Sequence, residues 1–169
     1  MDTHKEARRS AGKWAIITLH PSLPSRTEQV ARARAWGLDE ELLEEMDVSA
    51  IIEDDVRKET RTTNWQARLS ERARFIDQMK IIKPAGDTVF FASPLCVGFG
   101  EAHARQTVET LWGVGFSVYV HTLGAIYKAG DDLTEFLAHV TREANAAYAK
   151  AWRKRKSEPA QTKRRKGKS

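Results

Sequence analysis

The sequence has very little cysteine and no long apolar run. Its single cysteine, Cys96, excludes an intramolecular disulfide and favours a reducing compartment. No stretch reaches the roughly 18 consecutive apolar residues that a membrane-spanning helix needs, and the polar beginning MDTHKEARRS lacks the apolar core of a secretory signal. We therefore expect a soluble, cytoplasmic protein that does not associate with a membrane.

Several cofactor motifs are also missing. The sequence contains no phosphate-binding loop, no glycine-rich dinucleotide fingerprint and no paired cysteines. His103, His121, His139 and the acidic run 53–55 do not follow the spacing of known metal sites. We therefore predict neither a cofactor nor a metal, and interpret the acidic run as a solvated loop.

The basic residues are concentrated at the carboxyl end. Residues 151–169 hold nine Lys or Arg and one acid, Glu158, whereas residues 1–150 hold 19 bases and 22 acids. A cationic tail on a mildly acidic body indicates a polyanionic partner, with a merely solubilising tail as the alternative. The predicted DNA-binding residues are Arg153, Lys154, Arg155, Lys156, Lys163, Arg164, Arg165, Lys166 and Lys168.

The pattern of apolar residues predicts an α/β domain. Strands are expected at 13–19, 48–53, 88–92 and 116–121, and helices at 26–36, 65–79 and 101–112, with Ser25 and Glu28 as a capping box. The acidic segment 38–46 is expected to form a short helix or a turn. This alternation is typical of a mainly parallel sheet flanked by helices. The expected organisation is a polar leader (1–12), the α/β domain (13–130), a long amphipathic helix (131–156) and a disordered basic tail (157–169).

The long helix carries an apolar stripe with alternating spacings of four and three residues. Such a stripe packs either on its own domain or on a partner helix, and a helix of about 37 Å is too long for a small domain to cover completely. A partner for its outer half is therefore expected. The predicted dimer-interface residues are Leu133, Phe136, Leu137, Val140, Ala144, Ala147 and Tyr148.

The order of these segments resembles the catalytic domain of small serine recombinases, the resolvases and invertases. In that family a Tyr-Ala-Arg-Val-Ser-Thr type motif ends the first strand, and a helix with a Gln-Val core and a closing glycine follows. Here Ile16–Pro21 occupies the place of the motif, and Gln29, Val30 and Gly37 follow at matching distances. A Gly-Asp turn at residues 86–87 then precedes the next strand, as in the family.

The resemblance continues through the second half and spans about residues 14–156. Pro94–Phe99 stands in the place of the family's Leu-Asp-Arg-Leu-Gly-Arg loop, a helix at 101–112 follows, and Gly115-Phe116 begins the next strand. The segment 131–156 corresponds to the family's dimerising helix. The resemblance therefore implies a resolvase-like fold and a dimer, either of two identical chains or with a related recombinase.

The positions that would carry the family's chemistry have changed. A serine recombinase needs a nucleophilic hydroxyl and arginines around the scissile phosphate. The positions that correspond to the family's site are Thr18, His20, Arg72, Leu95, Cys96 and Phe99. His20 stands in the place of the nucleophile and only Arg72 keeps an arginine, so no residue is assigned a catalytic role and recombination by the family mechanism is not expected.

The resemblance and the tail together indicate a catalytically inactive accessory or regulatory protein that associates with DNA. Such proteins are carried by bacterial mobile elements or phages, and we expect this one to lie at the bacterial nucleoid. The helix-turn-helix domain that follows many resolvases is absent, so DNA binding is expected to be largely independent of sequence. Two alternatives remain open. One is an active recombinase or DNA-nicking enzyme that uses Ser22, Ser25 or His20, and the other is a protein-interaction module of a larger assembly.

Two residues have simpler explanations than catalysis. Ser25 is explained as a helix N-cap, and Cys96, in an apolar loop without a neighbouring cation, as a buried structural thiol. His20 has no second catalytic group near it in the sequence, which favours an ordinary loop histidine.

Overall fold

Strands and helices alternate along the chain. The computed structural model describes residues 12–38, 50–55, 70–82 and 87–157. The elements in these ranges are β1 (Lys13–Leu19), α1 (Arg26–Trp36), β2 (Ile51–Asp55), α2 (Ser70–Ile82), β3 (Thr88–Phe91), α3 (Pro94–Val97), α4 (Glu101–Gly113), β4 (Ser117–Val120), β5 (Ala125–Tyr127) and α5 (Thr134–Ser157), with a 3-10 turn at His121–Leu123.

The described strands form one sheet in the order β2-β1-β3-β4-β5. Parallel pairing joins β1 to β2 and β3, and β3 to β4, whereas β4 and β5 are antiparallel. Parallel neighbours need a crossover connection, which the intervening helices provide, and the short 3-10 turn allows only a hairpin. The predicted α/β class with a mainly parallel sheet is therefore confirmed, and β5 is an element that the sequence pattern did not indicate.

Several predicted boundaries shift by a few residues. The strand expected at 48–53 is found at Ile51–Asp55, and the loop expected at 93–99 contains the helical turn Pro94–Val97. The helix expected at 65–79 is described from Ser70 and continues to Ile82. The acidic helix or turn expected at 38–46 lies, apart from its first residue, outside the described residues, as do nearly all of the leader and the tail.

Helix α1 begins and ends at the predicted residues. The Ser25 side chain accepts a hydrogen bond from the Glu28 backbone N–H at 3.2 Å, and Gly37 closes the helix in the left-handed conformation at φ 113°. The Glu28 carboxylate pairs with Arg32, 2.6 Å away, instead of completing the reciprocal capping box. The serine cap and the glycine stop are thus confirmed, and the glutamate serves an i,i+4 ion pair.

Helices cover both faces of the sheet. Neighbouring residues of a strand point to opposite faces, so Trp14 and Ala15 of β1 face different helices. The Trp14 ring lies 5.6 Å from Phe75 of α2. Phe90, which pairs with Ala15 across the sheet, lies 5.7 Å from Trp36 at the end of α1. The core is therefore a three-layer arrangement with aromatic contacts on both sides.

The inner half of α5 completes this core. Its buried residues are Phe136, Leu137, Val140 and Ala144, preceded by Leu133 in the loop before the helix. Phe136 lies 5.1 Å from the Tyr127 ring of β5. Beyond Ala144 the helix leaves the core, since Tyr148 is 60% exposed and Trp152 is 57% exposed. Helix α5 therefore has a buried inner half and an exposed outer half, residues 145–157.

Candidate functional site at the carboxyl edge of the sheet

The ends of β1 and β3 bring together five of the six positions that correspond to the recombinase site. Parallel strands end at one edge of a sheet, which is where ligands bind in open α/β folds. Thr18 and His20 lie at the end of β1, and Leu95, Cys96 and Phe99 lie in and after α3, which follows β3. Arg72, the sixth position, belongs to α2, and the structure does not describe its side chain.

Thr18 lies in the interior, where hydrogen bonds fix both its side chain and its backbone. Its Oγ1 donates to the backbone carbonyl of Cys96 at 2.9 Å, which ties β1 to α3. Its backbone N–H donates to Oε1 of Gln29 at 3.2 Å, and its carbonyl accepts from Nε2 of the same glutamine at 2.8 Å. Thr18, which the resemblance places at an arginine position of the family, thus takes part in an internal hydrogen-bond network.

Gln29 is the centre of that network. It is fully buried on α1, and its Nε2 also donates to the carbonyl of Pro24 at 2.8 Å. One amide therefore satisfies three backbone groups where the chain leaves β1 and re-enters a helix, which removes the cost of burying them unpaired. The sequence marked Gln29 only as part of a family match, although a glutamine on the apolar side of a helix is itself a signal of a buried hydrogen-bond role.

His20 is half-buried at the end of β1. Its Nδ1 accepts a hydrogen bond from the Ser22 backbone N–H at 3.0 Å, so in the neutral ring the proton lies on Nε2. Its ring packs on Phe99 with 4.5 Å between centroids, and burial lowers the pKa of His20. In this tautomer the outward nitrogen is a donor, so the imidazole has no free lone pair there with which to remove a proton or attack phosphorus.

The two candidate serines differ in their availability. The Oγ of Ser25 is engaged as the cap of α1, which confirms the N-cap interpretation. Ser22 is exposed, and it contacts His20 through its backbone N–H and not through its hydroxyl. Hydrogen bonds therefore do not orient His20 as a base towards either hydroxyl.

Leu95 and Phe99 close the site from the opposite side. Both are buried in a small cluster with Ala144 of α5, against which Leu23 and Ala147 pack. The neighbouring Gly98 lies so close to α4 that an added Cβ would stand 2.5 Å from the Ala104 backbone nitrogen. The loop therefore lies between two helices, and apolar side chains fill the space around Leu95 and Phe99.

Cys96 is fully buried within this loop. Its Sγ lies 3.3 Å from Oγ of Ser93 and 3.8 Å from Oε1 of Gln29. This confirms the prediction of a structural thiol, because reactive cysteines are accessible and lie beside cations.

Several carboxylates border the apolar site formed by Thr18, Leu95, Cys96 and Phe99. Glu143 of α5 is half-buried and accepts a hydrogen bond from the Leu95 backbone N–H; burial raises the pKa of this carboxyl. At the end of β2, Glu53 pairs with Arg26, and Asp54 is buried. A phosphodiester placed here would meet carboxylates, which oppose the accumulation of negative charge that the family's arginines stabilise.

The three histidines that were weighed as metal ligands lie on different elements of the fold. His103 is buried in α4, Nδ1 of His121 lies 3.2 Å from the Tyr119 hydroxyl, and Nδ1 of His139 lies 3.0 Å from the Arg142 guanidinium. Within ranges 12–38, 50–55, 70–82 and 87–157 no three potential ligands are grouped for a metal ion.

The tail residues fall into two groups. Arg153 is exposed on α5, and residues 154–156 continue the same helix. Residues 163–168 lie outside the described residues. Among the helices described, none is both long and apolar enough to cross a membrane.

The seven residues of the predicted dimer interface differ in burial. Five of them are buried within the chain itself, because the first turns of α5 pack on α3 and α4: Leu133, Phe136, Leu137, Val140 and Ala144. Of the predicted set, the exposed Tyr148 and the half-buried Ala147 remain accessible. The inner part of the stripe thus packs within the domain itself, and only its outer end is accessible.

The sequence matches no protein-family model and no curated protein.

Proposed function

We propose that this chain is a catalytically inactive, resolvase-like protein that associates with DNA and acts as an accessory or regulatory factor. The absence of catalysis is inferred from the residues found at the carboxyl ends of β1 and β3. Four positions that correspond to the recombinase site, Thr18, Leu95, Cys96 and Phe99, are buried and neutral. The fifth, His20, presents a donor, so neither a nucleophile nor an arginine pair meets a phosphate there.

The DNA-associating part is supported by charge. The carboxyl end from residue 151 carries nine cations against one acid, and it begins on an exposed helix and not in the core. Each phosphate neutralised by Lys or Arg releases counterions, which gives affinity without sequence preference. Pairing of two chains through the outer half of α5 would place two such tails on one duplex and raise their avidity.

The test is a DNA-binding titration at several salt concentrations with two matched triple variants. In the first, Arg164, Arg165 and Lys166 are changed to Gln; in the control, exposed Lys80, Lys128 and Arg142 are changed to Gln. The slope of log affinity against log salt should become shallower by about 3 in the tail variant, since each phosphate that a cation neutralises adds about 0.9 to the slope, and it should stay unchanged in the control. Equal slopes in both variants would refute tail-based binding.

The alternative of an active enzyme predicts a covalent protein–DNA adduct. A family-type mechanism forms a covalent bond between the protein and a DNA phosphate. Incubation with supercoiled and nicked DNA, followed by denaturing electrophoresis, should therefore yield no protein–DNA adduct. An adduct that disappears with Ser22→Ala would overturn the inactive assignment.

A further inference from the structure

Asp87 is a buried acid at the amino edge of the sheet, opposite the edge where β1 and β3 end. It directly precedes β3, and only 2% of its surface is exposed. Its Oδ2 accepts a hydrogen bond from the Trp14 indole N–H at 2.8 Å, whereas no described residue completes a hydrogen bond to its buried Oδ1. A carboxylate that is buried with one oxygen unpaired is strongly unfavourable when it is ionised, and burial therefore favours its protonated form.

Aromatic side chains surround the Trp14–Asp87 pair. The Trp14 ring lies 5.6 Å from Phe75 of α2 and 6.2 Å from Phe116, which precedes β4. The two phenylalanine rings stack on each other with 5.5 Å between their centroids. These rings exclude water from the carboxyl and supply no hydrogen-bond donor to it.

No cation of the described residues forms an ion pair with Asp87. On β1, the ammonium of Lys13 contacts Trp36 on the other face of the sheet. Neither β3 nor β4 holds a charged residue. The charged residues of α2 whose side chains are described are all exposed: Arg74, Asp77 and Lys80. Burial accordingly raises the pKa of Asp87, and the hydrogen bonds from the Trp14 indole and the Gly12 backbone lower it only in part.

Helix α2 reaches this acid through few buried side chains. Of those described on α2, Phe75 and Met79 are buried, and Phe75 contacts the Trp14 ring. Helix α4 in contrast buries five side chains and packs on both α3 and α5. Elements with few buried contacts open locally at a lower free energy than the whole domain unfolds. Release of α2 would bring water to the carboxylate, which favours its charged form.

We propose that Asp87 is a pH-sensitive switch: its protonated form keeps α2 packed on the sheet, and its ionisation favours the release of α2. The contribution of Asp87 to the closed arrangement is fully present below the ordinary aspartate pKa, which applies once α2 is released and the carboxyl is hydrated. It is lost as the pH rises through the raised pKa of the closed arrangement. This switch acts at the amino edge and is independent of the DNA association proposed above.

The experiment is hydrogen–deuterium exchange of the full chain between about pH 4 and pH 8, measured by mass spectrometry. The protection of α2 is expressed relative to that of α4 at each pH, which cancels the pH dependence of the exchange chemistry itself. We expect the opening constant of α2 to rise at least tenfold relative to that of α4, the factor that a difference of one pKa unit gives. Equal loss of protection in both helices, or no change in either, would overturn the proposal.

Matched variants assign the effect to Asp87. Asp87→Asn cannot ionise, so the protection of α2 relative to α4 should be the same at every pH. Asp77→Asn, which removes an exposed acid of α2, and Glu143→Gln, at the other edge of the sheet, should leave the pH dependence as it is. Trp14→Phe removes the indole donor and keeps an aromatic ring, so the loss of protection should become larger and extend to higher pH. This variant also decides the question if Asp87→Asn does not fold. A pH dependence that persists in Asp87→Asn, or that Trp14→Phe does not change, would overturn the proposal.

Discussion

Replacing Gln29 by leucine tests the network that closes the end of β1. The change removes one acceptor and two donors at once, leaving the Thr18 N–H, the Thr18 carbonyl and the Pro24 carbonyl without the amide. Each neutral hydrogen bond contributes about 1 kcal/mol net, and each buried group left unpaired costs about 1–3 kcal/mol. Burial of the apolar leucine side chain offsets part of this loss of stability.

The free energy of unfolding of Gln29→Leu should therefore fall by about 3 kcal/mol. The measurement is urea unfolding followed by circular dichroism, in which the midpoint should decrease while the slope m stays constant, because the unfolded surface is the same. Gln106→Leu is the matched control, since Gln106 is exposed on α4 and its change should stay within about 0.5 kcal/mol. A midpoint for Gln29→Leu equal to that of the control would show that the network does not stabilise this edge of the sheet.

Three further predictions follow from the same region. The raised pKa of Glu143 means that folding favours its protonated form, so the contribution of Glu143 to stability should be fully present below the unfolded pKa and be lost as the pH rises through the folded pKa. The free energy of unfolding of Glu143→Gln, measured against pH, should lack this one loss, and a profile identical to that of the unchanged chain would contradict the assignment. Leu137→Ala should destabilise the fold by about 2–5 kcal/mol because its side chain is in the core. In contrast, Tyr148→Ala should cost less than about 0.5 kcal/mol, and the reverse order in urea unfolding would mean that α5 is packed differently. Gly98→Ala should lower the thermal midpoint by steric conflict with α4, whereas Gly113→Ala, with open space around it, should not.

Periodicity and end signals in the sequence predicted much of the fold. The apolar run at β1, the serine cap and the glycine stop of α1, and the start of α4 all fall at the expected residues, because each depends on local chemistry. The strand β5 was not predicted. Its three residues are too few for a period of two to show, and its pairing depends on a turn with Gly124 in the left-handed conformation at φ 58°.

The site was harder to predict, since its character depends on contacts between distant segments. The family-site positions were located by order along the chain, and five of them do lie near one edge. The burial of Leu95 and Phe99 depends on Ala144 and Glu143 of α5, which lie about 50 positions after Leu95 in the sequence. No motif in the Leu95 loop predicts a contact with these two residues. The length of the α5 stripe predicted that the domain would not cover its outer half, whereas the residue at which burial ends, Ala144, follows only from the fold.

The central place of β1 in the sheet has a consequence during synthesis. The ribosome synthesises β1 before both of its neighbours in the sheet. The strand is fully paired only when it lies between β2 and β3, and β3 ends at Phe91, 72 residues after Leu19. At about 5–20 residues per second, the apolar segment KWAIITL spends roughly 4–14 s on the ribosome without its second neighbour. Its one charge, Lys13, stands at the very start, so the rest of the segment is an apolar strand that is open to aggregation during this interval.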